Sequence, residues 1–204
     1  MHTLSIEPDP VLMDGLREIG NIGAAHASTA LSNLVNTDIA VEVTEHFACS
    51  TLELPDMLDD PQQMVVAVFL ETYGVGKGGL LLMFSQEMAT SLVDMLLSRP
   101  HSRRELDEVD LDAICEVGNI CASAYLSAVA KFCGITMVPS PPGVAVDMLH
   151  AILQYPAALA EADSDDLMVI RTQFVYGGSV SSGFMLYIPD RATVRLLNEK
   201  FKAV

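Results

Sequence analysis

The sequence contains no tryptophan and only four lysines, and its 11 basic residues are outnumbered by 27 acidic ones. The formal net charge of −16 argues against a nucleic-acid-binding protein, because binding to phosphates requires a basic surface. The same charge disfavours contact with anionic membrane surfaces. Basic patches on other proteins are therefore the partners that this acidic surface would attract.

Long hydrophobic runs are also missing, although 50% of the residues are hydrophobic and the mean hydropathy is +0.36. No uninterrupted apolar segment approaches the roughly 18 residues that a bilayer-spanning helix requires. The N-terminal segment from Met1 to Glu7 carries neither the basic nor the apolar part of a secretion signal. We therefore expect a soluble protein of the cytoplasm, with no membrane partner.

Recognisable metal or disulfide patterns are lacking as well. No two of the four cysteines have C-x-x-C spacing, and the five histidines show no ligand spacing. Three of the cysteines (Cys115, Cys121 and Cys133) fall in apolar segments with helical periodicity, where cysteine behaves as a small hydrophobic residue. We therefore predict reduced structural thiols and no metal site.

What the sequence does contain is one motif that occurs twice, 98 positions apart and with the same internal spacing. Each copy consists of an acid, three residues, a second acid, one residue, and then Gly-Asn-Ile. The motif residues are Asp14, Glu18, Gly20, Asn21 and Ile22 in the first copy and Asp112, Glu116, Gly118, Asn119 and Ile120 in the second. Repeated packing would repeat apolar residues, whereas these positions repeat two acids and an amide. The duplication therefore indicates a repeated function as well as a repeated architecture.

The secondary-structure patterns occur in the same order in both halves: a helix, a strand, a hairpin and a second helix. In the first half we predict a helix from Pro10 to about Val35, strands at Ile39–Thr44, Met64–Glu71 and Gly79–Phe84, a glycine-rich hairpin turn at Gly74–Gly78, and a helix at Glu87–Leu97. In the second half we predict a helix from near Asp107 to near Gly134, a strand at Ile135–Val138, a helix at Val144–Leu159 interrupted at Pro156, strands at Leu167–Val175 and Gly183–Ile188, and a helix at Arg191–Phe201.

These elements predict one α+β domain over residues 1–204, with an internal pseudo-two-fold repeat and long exposed helices packed on a β-sheet. The internal repeats would span about 10–98 and 106–204. The halves are too small and too interwoven to be separate domains.

The motif residues are expected to face solvent. On a helix, the two acids and the asparagine of each copy fall within roughly 60° of one another, and apolar residues gather on the opposite side. Small residues continue the same stripe at Ala25, Ser28 and Ser123, which would make a flat strip on which another protein could lie.

Acids alone are ordinary on a solvated helix face, and Asp112 near a helix start would be stabilising without any function. The asparagines are harder to explain in this way, because asparagine is a poor residue for a helix interior. Gly20 and Gly118 each cost about 1 kcal/mol relative to alanine and remove a side chain that would keep a neighbouring backbone away.

An exposed acid and amide on one helix face could form a catalytic surface or a docking surface. Neither group is a nucleophile, and no serine or histidine recurs in both copies to complete a triad. The amide could orient a water that attacks a phosphoryl group supplied, with its magnesium, by a partner, while the acid pairs with a lysine of that partner. Docking alone is the other possibility.

These residues resemble the signature of the CheC branch of the CheC/CheX/FliY family, whose members dephosphorylate the chemotaxis response regulator CheY. The family pattern is Asp or Ser, three residues, Glu, two residues, Asn, twenty-two residues and Pro. The second copy fits it throughout, with Pro142 in the last position, whereas the first copy has Thr44 there. Two copies in 204 residues are similar to CheC rather than to the shorter, single-copy CheX.

The resemblance implies a protein aspartyl-phosphate phosphatase in which the Glu contacts CheY and the Asn positions the attacking water. The implied catalytic residues are Glu18, Asn21, Glu116 and Asn119, and the implied supporting residues are Asp14, Asp112 and Pro142. Phosphorylated CheY would supply the phospho-aspartate and the magnesium, so this chain would bind no cofactor of its own.

The resemblance also implies a second partner, because CheC proteins bind the receptor deamidase CheD. The segment Val144–Leu149 looks like the CheD-binding segment, with Asp147 as a contact. A non-catalytic adaptor that binds CheY or CheD is therefore the alternative function.

Overall fold

The computed structural model describes residues 10–50, 53–54, 60, 62–155 and 166–202. Its elements, numbered in chain order, fall into two halves. The first half contains α1 (Pro10–Val35), β1 (Ile39–Ser50), β2 (Met64–Gly74), β3 (Gly78–Ser85) and α2 (Gln86–Leu96). The second half contains α3 (Glu108–Cys133), β4 (Met137–Pro139), β5 (Gly143–Met148), α4 (Leu149–Ile152), β6 (Asp166–Tyr176), β7 (Ser179–Pro189) and α5 (Arg191–Phe201).

All strands of the described residues belong to one antiparallel sheet in the order β1-β6-β7-β3-β2-β4, with β5 also paired to β2. The two hairpins, β2–β3 and β6–β7, meet at the centre of the sheet. The outer strands cross over: β1 of the first half pairs with β6, and β4 and β5 of the second half pair with β2. The halves therefore form a single α+β domain, as predicted, while the internal repeat itself stays a prediction.

Both faces of the sheet carry buried residues. The larger cluster lies under α1 and α3 and includes the fully buried Leu16, Ile114 and Val68. A smaller cluster on the other face includes Leu81 and Leu186. Because both faces are covered, the central strand β3 reads as a continuous apolar run rather than an alternating one.

Local sequence sets the ends of α3. Asp107 and Asp110 form a capping box, in which each side chain accepts from the backbone N–H of the other residue. Gly134 ends the helix in a left-handed conformation with φ of 64°, which glycine adopts without strain. The predicted start near Asp107 and end near Gly134 are confirmed.

The connector between α2 and α3 is held by buried charges. The Arg104 guanidinium donates to the buried carboxylates of Asp110 and Asp94, the latter at 2.9 Å, and Arg99 adds a second contact to Asp110 at 2.9 Å. Hydrogen bonds from Arg104 hold the pKa of Asp110 below its ordinary value. Burial alone would raise the pKa of Asp94, but hydrogen bonds from the Ser102 backbone and from Arg104 outweigh it and lower that pKa.

The predicted helix over Val144–Leu159 is wrong at its start. The segment Gly143–Met148 is strand β5, and only the four residues of Leu149–Ile152 that follow are helical. The physical reason is pairing with β2, in which Val144 lies opposite Val68. A six-residue segment has no decisive periodicity of its own, so the distant partner strand determines its conformation. Residues 156–159 lie outside the described residues.

Among the described helices, α3 alone is long and apolar enough to cross a membrane by length and composition. Half of its most apolar segment is buried inside the protein, beneath α1 and against the sheet. It is a weak indication of a membrane span, because the core helix of a globular protein passes the same test.

Candidate functional site

In the first copy of the motif, the predicted outward face is confirmed. Asp14, Glu18 and Asn21 are all exposed on α1, whereas Leu16 and Ile19 of the same helix are fully buried. The three polar side chains lie at spacings of four and three residues, which places them on neighbouring turns of one helix face. A partner protein can therefore reach an acid and an amide together.

The second copy has the same arrangement on α3. Asp112 and Glu116 are exposed and Asn119 is half-buried, while Ile114 and Val117 are buried beneath them. Neither asparagine of the two copies is sealed inside the protein. Both copies of the motif thus remain candidates for a site.

The motif acids are free to meet a partner's cation. Among the described residues, no lysine, arginine or histidine forms an ion pair with Asp14, Glu18, Asp112 or Glu116. Their charges add to a strongly acidic protein. Exposed acids of this kind steer basic partners and fix orientation more than they add affinity.

The motif glycines face the chain's own sheet. Gly20 and Gly118 are both buried, on the inner side of α1 and α3. A Cβ atom at Gly118 would lie 2.5 Å from Cγ1 of Val68, whereas one at Gly20 would lie 3.7 Å from Cγ2 of Val43. Gly118 therefore allows α3 to approach β2 closely. The missing side chain makes room for Val68 of this chain and not for a partner protein.

The hydroxyl of Ser28 serves the fold rather than the outer strip. Its Oγ donates to the Ala24 carbonyl at 2.8 Å and accepts from the backbone N–H of Val41 at 2.7 Å. Ser32 accepts from the N–H of Ile39 in the same way at 2.9 Å. These two serines satisfy backbone donors on the outer edge of β1 and hold α1 beside it. The prediction of Ser28 as part of a flat docking strip is therefore wrong.

The second asparagine has a hydrogen-bond partner that sequence reasoning did not identify. Oδ1 of Asn119 accepts from the hydroxyl of Ser123, at 3.5 Å. The signal was present as the i,i+4 spacing of the two residues, which places them on adjacent turns. In the first copy the matching position is Ala25, which has no hydroxyl.

The last motif position lies at a break in strand pairing in both halves. Pro142 is half-buried between β4 and β5, immediately before the first residue of β5. Thr44 lies at a bulge in β1, where the register shifts between Val43 and Glu45. Proline suits such a break because it has no N–H to leave unpaired. The first copy keeps the irregularity without the proline.

The segment predicted to contact a second partner is an exposed strand. Asp147 is exposed on β5, and its Oδ1 accepts from the backbone N–H of Met148 at 2.7 Å. Val146 and Met148 are large apolar side chains that remain 39% and 47% exposed. Within the described part of the chain β5 pairs with β2 alone, so its outer edge is open.

One half-buried histidine lies within electrostatic reach of α1. Burial, together with the positive charge of Arg17, lowers the pKa of His46 to about 4. Its Nε2 atom is buried without a hydrogen-bond partner in the described residues. His46 is therefore neutral at physiological pH.

The described residues contain neither a cluster of metal-ligating side chains nor a disulfide. No group of three or more His, Cys, Asp or Glu side chains there could hold a metal ion. None of Cys49, Cys115, Cys121 and Cys133 forms a disulfide. Burial raises the pKa of the Cys121 thiol to about 12, which makes it unreactive.

Comparison with known proteins identifies the family. The model of the CheC-like family matches residues 13–43 and 109–146, and each matched segment contains one Glu–Asn pair. The chain is also 33% identical, over 144 residues, to the CheY-P phosphatase CheC of Bacillus subtilis strain 168, and the match covers 69% of each protein. The chain belongs to the CheC-like family. This membership confirms the resemblance seen in the two motif copies.

Solved structures confirm the fold of this CheC-like protein. Thermotoga maritima FliY superposes with a TM-score of 0.78 at 22% identity, covering 96% of this chain and 98% of that one. The FliM middle domain of Helicobacter pylori gives a TM-score of 0.69 at 14% identity, covering 94% of this chain and 99% of that one. A CheX from Desulfovibrio desulfuricans gives 0.56 at 13%, covering 85% and 99%.

Proposed function

We propose that this CheC-like protein is a phosphatase that hydrolyses the aspartyl-phosphate of a CheY-type response regulator in the cytoplasm. The observation that carries the proposal is the pair of outward-facing Glu–Asn faces, one on α1 and one on α3. Its membership of a family that includes a CheY-P phosphatase gives independent support.

The proposed reaction is a hydrolysis that the asparagine assists by positioning. A water oxygen attacks the phosphorus, the bond from phosphorus to the aspartyl oxygen breaks, and inorganic phosphate and a free carboxylate result. The carboxamide of Asn21 or Asn119 accepts from and donates to that water, which places it for in-line attack. The response regulator supplies the phosphoryl group and the magnesium ion, and no cofactor is required from this chain.

Glu18 and Glu116 have a different role in this scheme. Each lies one turn before its asparagine, is exposed, and carries a charge that no cation of the described residues neutralises. Each would pair with a basic side chain of the regulator and set the distance between amide and phosphoryl group. Asp14 and Asp112, one further turn along, extend the same acidic face and support this docking.

The decisive experiment removes the amides. Asn21→Ala, Asn119→Ala and the double variant are assayed for release of phosphate from the phosphorylated regulator. The double variant should lose catalysis by about 100-fold or more, as expected when a water-orienting group is deleted. Asn33→Ala is the matched control, since Asn33 is exposed on α1 outside the motif. Full activity in the double variant would refute the catalytic role.

A second candidate, a non-catalytic adaptor, is favoured by two observations. The same fold occurs in the FliM middle domain of Helicobacter pylori, and β5 presents an open edge with exposed Val146 and Met148 within the described residues. An adaptor would bind the regulator or CheD without accelerating dephosphorylation. Under the phosphatase proposal CheD is an additional partner at β5, contacted by Asp147.

The CheD contact has its own test. Asp147→Lys should weaken binding of CheD, measured by calorimetry, and leave phosphate release without CheD unchanged. Glu199→Lys is the control, because Glu199 is an exposed acid on α5. Equal loss of CheD binding in both variants would show only a dependence on net charge.

A further inference from the structure

The side-chain carboxamides of Asn21 and Asn119 differ in their hydrogen bonds and in their exposure. In α3 the Ser123 hydroxyl donates to Oδ1 of Asn119 at 3.5 Å, from one helical turn towards the C-terminus. In α1 the matching residue is Ala25, and no hydrogen bond reaches the Asn21 side chain from the described residues. Asn119 is half-buried, whereas Asn21 is exposed. The two copies of the motif are thus unequal at a position outside the motif.

This difference affects how well an amide can hold a water. The χ2 torsion of asparagine is a broad, roughly two-fold rotor, so an exposed amide samples orientations in which oxygen and nitrogen exchange places. A water held for attack needs its donor and its acceptor in fixed positions. A hydroxyl that donates to Oδ1 favours one orientation, and it leaves both hydrogens of Nδ2 and one lone pair of Oδ1 for a water.

We propose that Ser123 is a positioning residue that fixes the Asn119 carboxamide and makes the second copy of the motif the faster site. The inference rests on the proposed phosphatase function, because it concerns the same water-orienting amide. Ser123 touches neither the water nor the phosphoryl group in this scheme. It acts through Asn119 alone and undergoes no change of protonation.

The Asn21→Ala variant isolates the second site for the test. In that background, Ser123→Ala should lower kcat for phosphate release about three- to tenfold, the effect of losing one hydrogen bond. KM should stay within about twofold, since docking is unchanged. Binding of the regulator carrying beryllofluoride, a stable mimic of its acyl phosphate, should also be unchanged. Ser127→Ala, an exposed serine one turn further along α3, is the matched control and should retain kcat.

The reciprocal variant tests the same idea at the first site. In an Asn119→Ala background, Ala25→Ser places a hydroxyl at the matching position and should raise kcat about two- to fivefold. A purely structural role for Ser123 predicts no such gain. Thermal unfolding of each variant identifies any loss of activity that follows a loss of stability.

Three results would overturn the inference. The first is an unchanged kcat in Ser123→Ala. The second is a loss of kcat in that variant together with a raised KM and a lowered melting temperature. The third is no rise of kcat in Ala25→Ser. None of them touches the proposed function, which fails separately if the double asparagine variant keeps full activity.

Discussion

A Cβ atom on Gly118 would lie 2.5 Å from Cγ1 of Val68, so α3 packs against β2 more closely than a larger residue allows without a shift of its neighbours. The matched glycine of α1, Gly20, has 3.7 Å to its nearest neighbour. Equivalent positions of the two motif copies therefore tolerate different residues, and the first two variants to compare are alanines at these sites.

We predict that Gly118→Ala destabilises the protein by about 1–3 kcal/mol, because the β-branched Val68 cannot yield without disturbing the core. Gly20→Ala should instead stabilise it by up to about 1 kcal/mol, since alanine is the better helix former and fits the space. Urea unfolding measures both. Combining Gly118→Ala with Val68→Ala should cost less than the sum of the two single changes, and additive costs would contradict the proposed clash.

The buried charge cluster of the connector gives a second prediction. Arg104→Met should lower the free energy of unfolding by about 3–5 kcal/mol, because it leaves Asp94 and Asp110 buried without their main partner. Arg103→Met should cost less than about 1 kcal/mol, because the Arg103 side chain is 88% exposed and its ion pair with Glu87, at 3.9 Å, is long and solvated. Denaturant unfolding of the two variants compares them, and equal costs would refute the role of burial.

The third prediction concerns acid stability. The pKa of His46 is about 4 in the folded protein, against an ordinary histidine pKa of 6.5, so the unfolded chain takes up the proton first as pH falls. The free energy of unfolding should therefore fall by about 2–3 kcal/mol between pH 6.5 and about 4 because of this residue. Above pH 6.5 His46 should make no pH-dependent contribution. His46→Gln should flatten this part of the profile. His26→Gln, at an exposed position on α1, is the matched control.

The fourth prediction concerns docking. Glu116→Gln in the Asn21→Ala background should raise KM for the phosphorylated regulator about two- to fivefold at low salt, because one exposed charge pair is lost. The difference should shrink at 1 M salt, where the Debye length is about 3 Å. Glu108→Gln, an exposed acid at the start of α3, is the control. A KM effect that is independent of salt would argue against pairing with a basic residue.

Helices α1 and α3 were predictable because their signals are local. Each runs for 26 residues with one apolar side, and Asp107 and Gly134 mark the ends of α3 with ordinary capping chemistry. The exposure of the motif acids followed from the same periodicity. The hairpin β2–β3 followed from its glycine-rich turn, where Gly74 and Gly78 both have positive φ.

The remaining features depend on partners distant in sequence. β5 is a strand because β2 offers it a register, with Val146 opposite Val66. The need for glycine at position 118 comes from Val68, which lies on another element. The i,i+4 spacing places Ser123 next to Asn119, but spacing alone does not encode the rotamer that brings its hydroxyl to the amide.

The exchange of outer strands between the halves couples the two motif copies in folding. β1 is completed by the hairpin of the second half, and β4 and β5 by that of the first, so a fragment with one copy would leave unpaired strand edges. Severing the chain at the connector should yield pieces that become ordered only when mixed. A substitution that destabilises one copy would then lower the fraction of folded protein, and with it the number of intact copies of the other motif. Disruption of either α1 or α3 would therefore inactivate both sites.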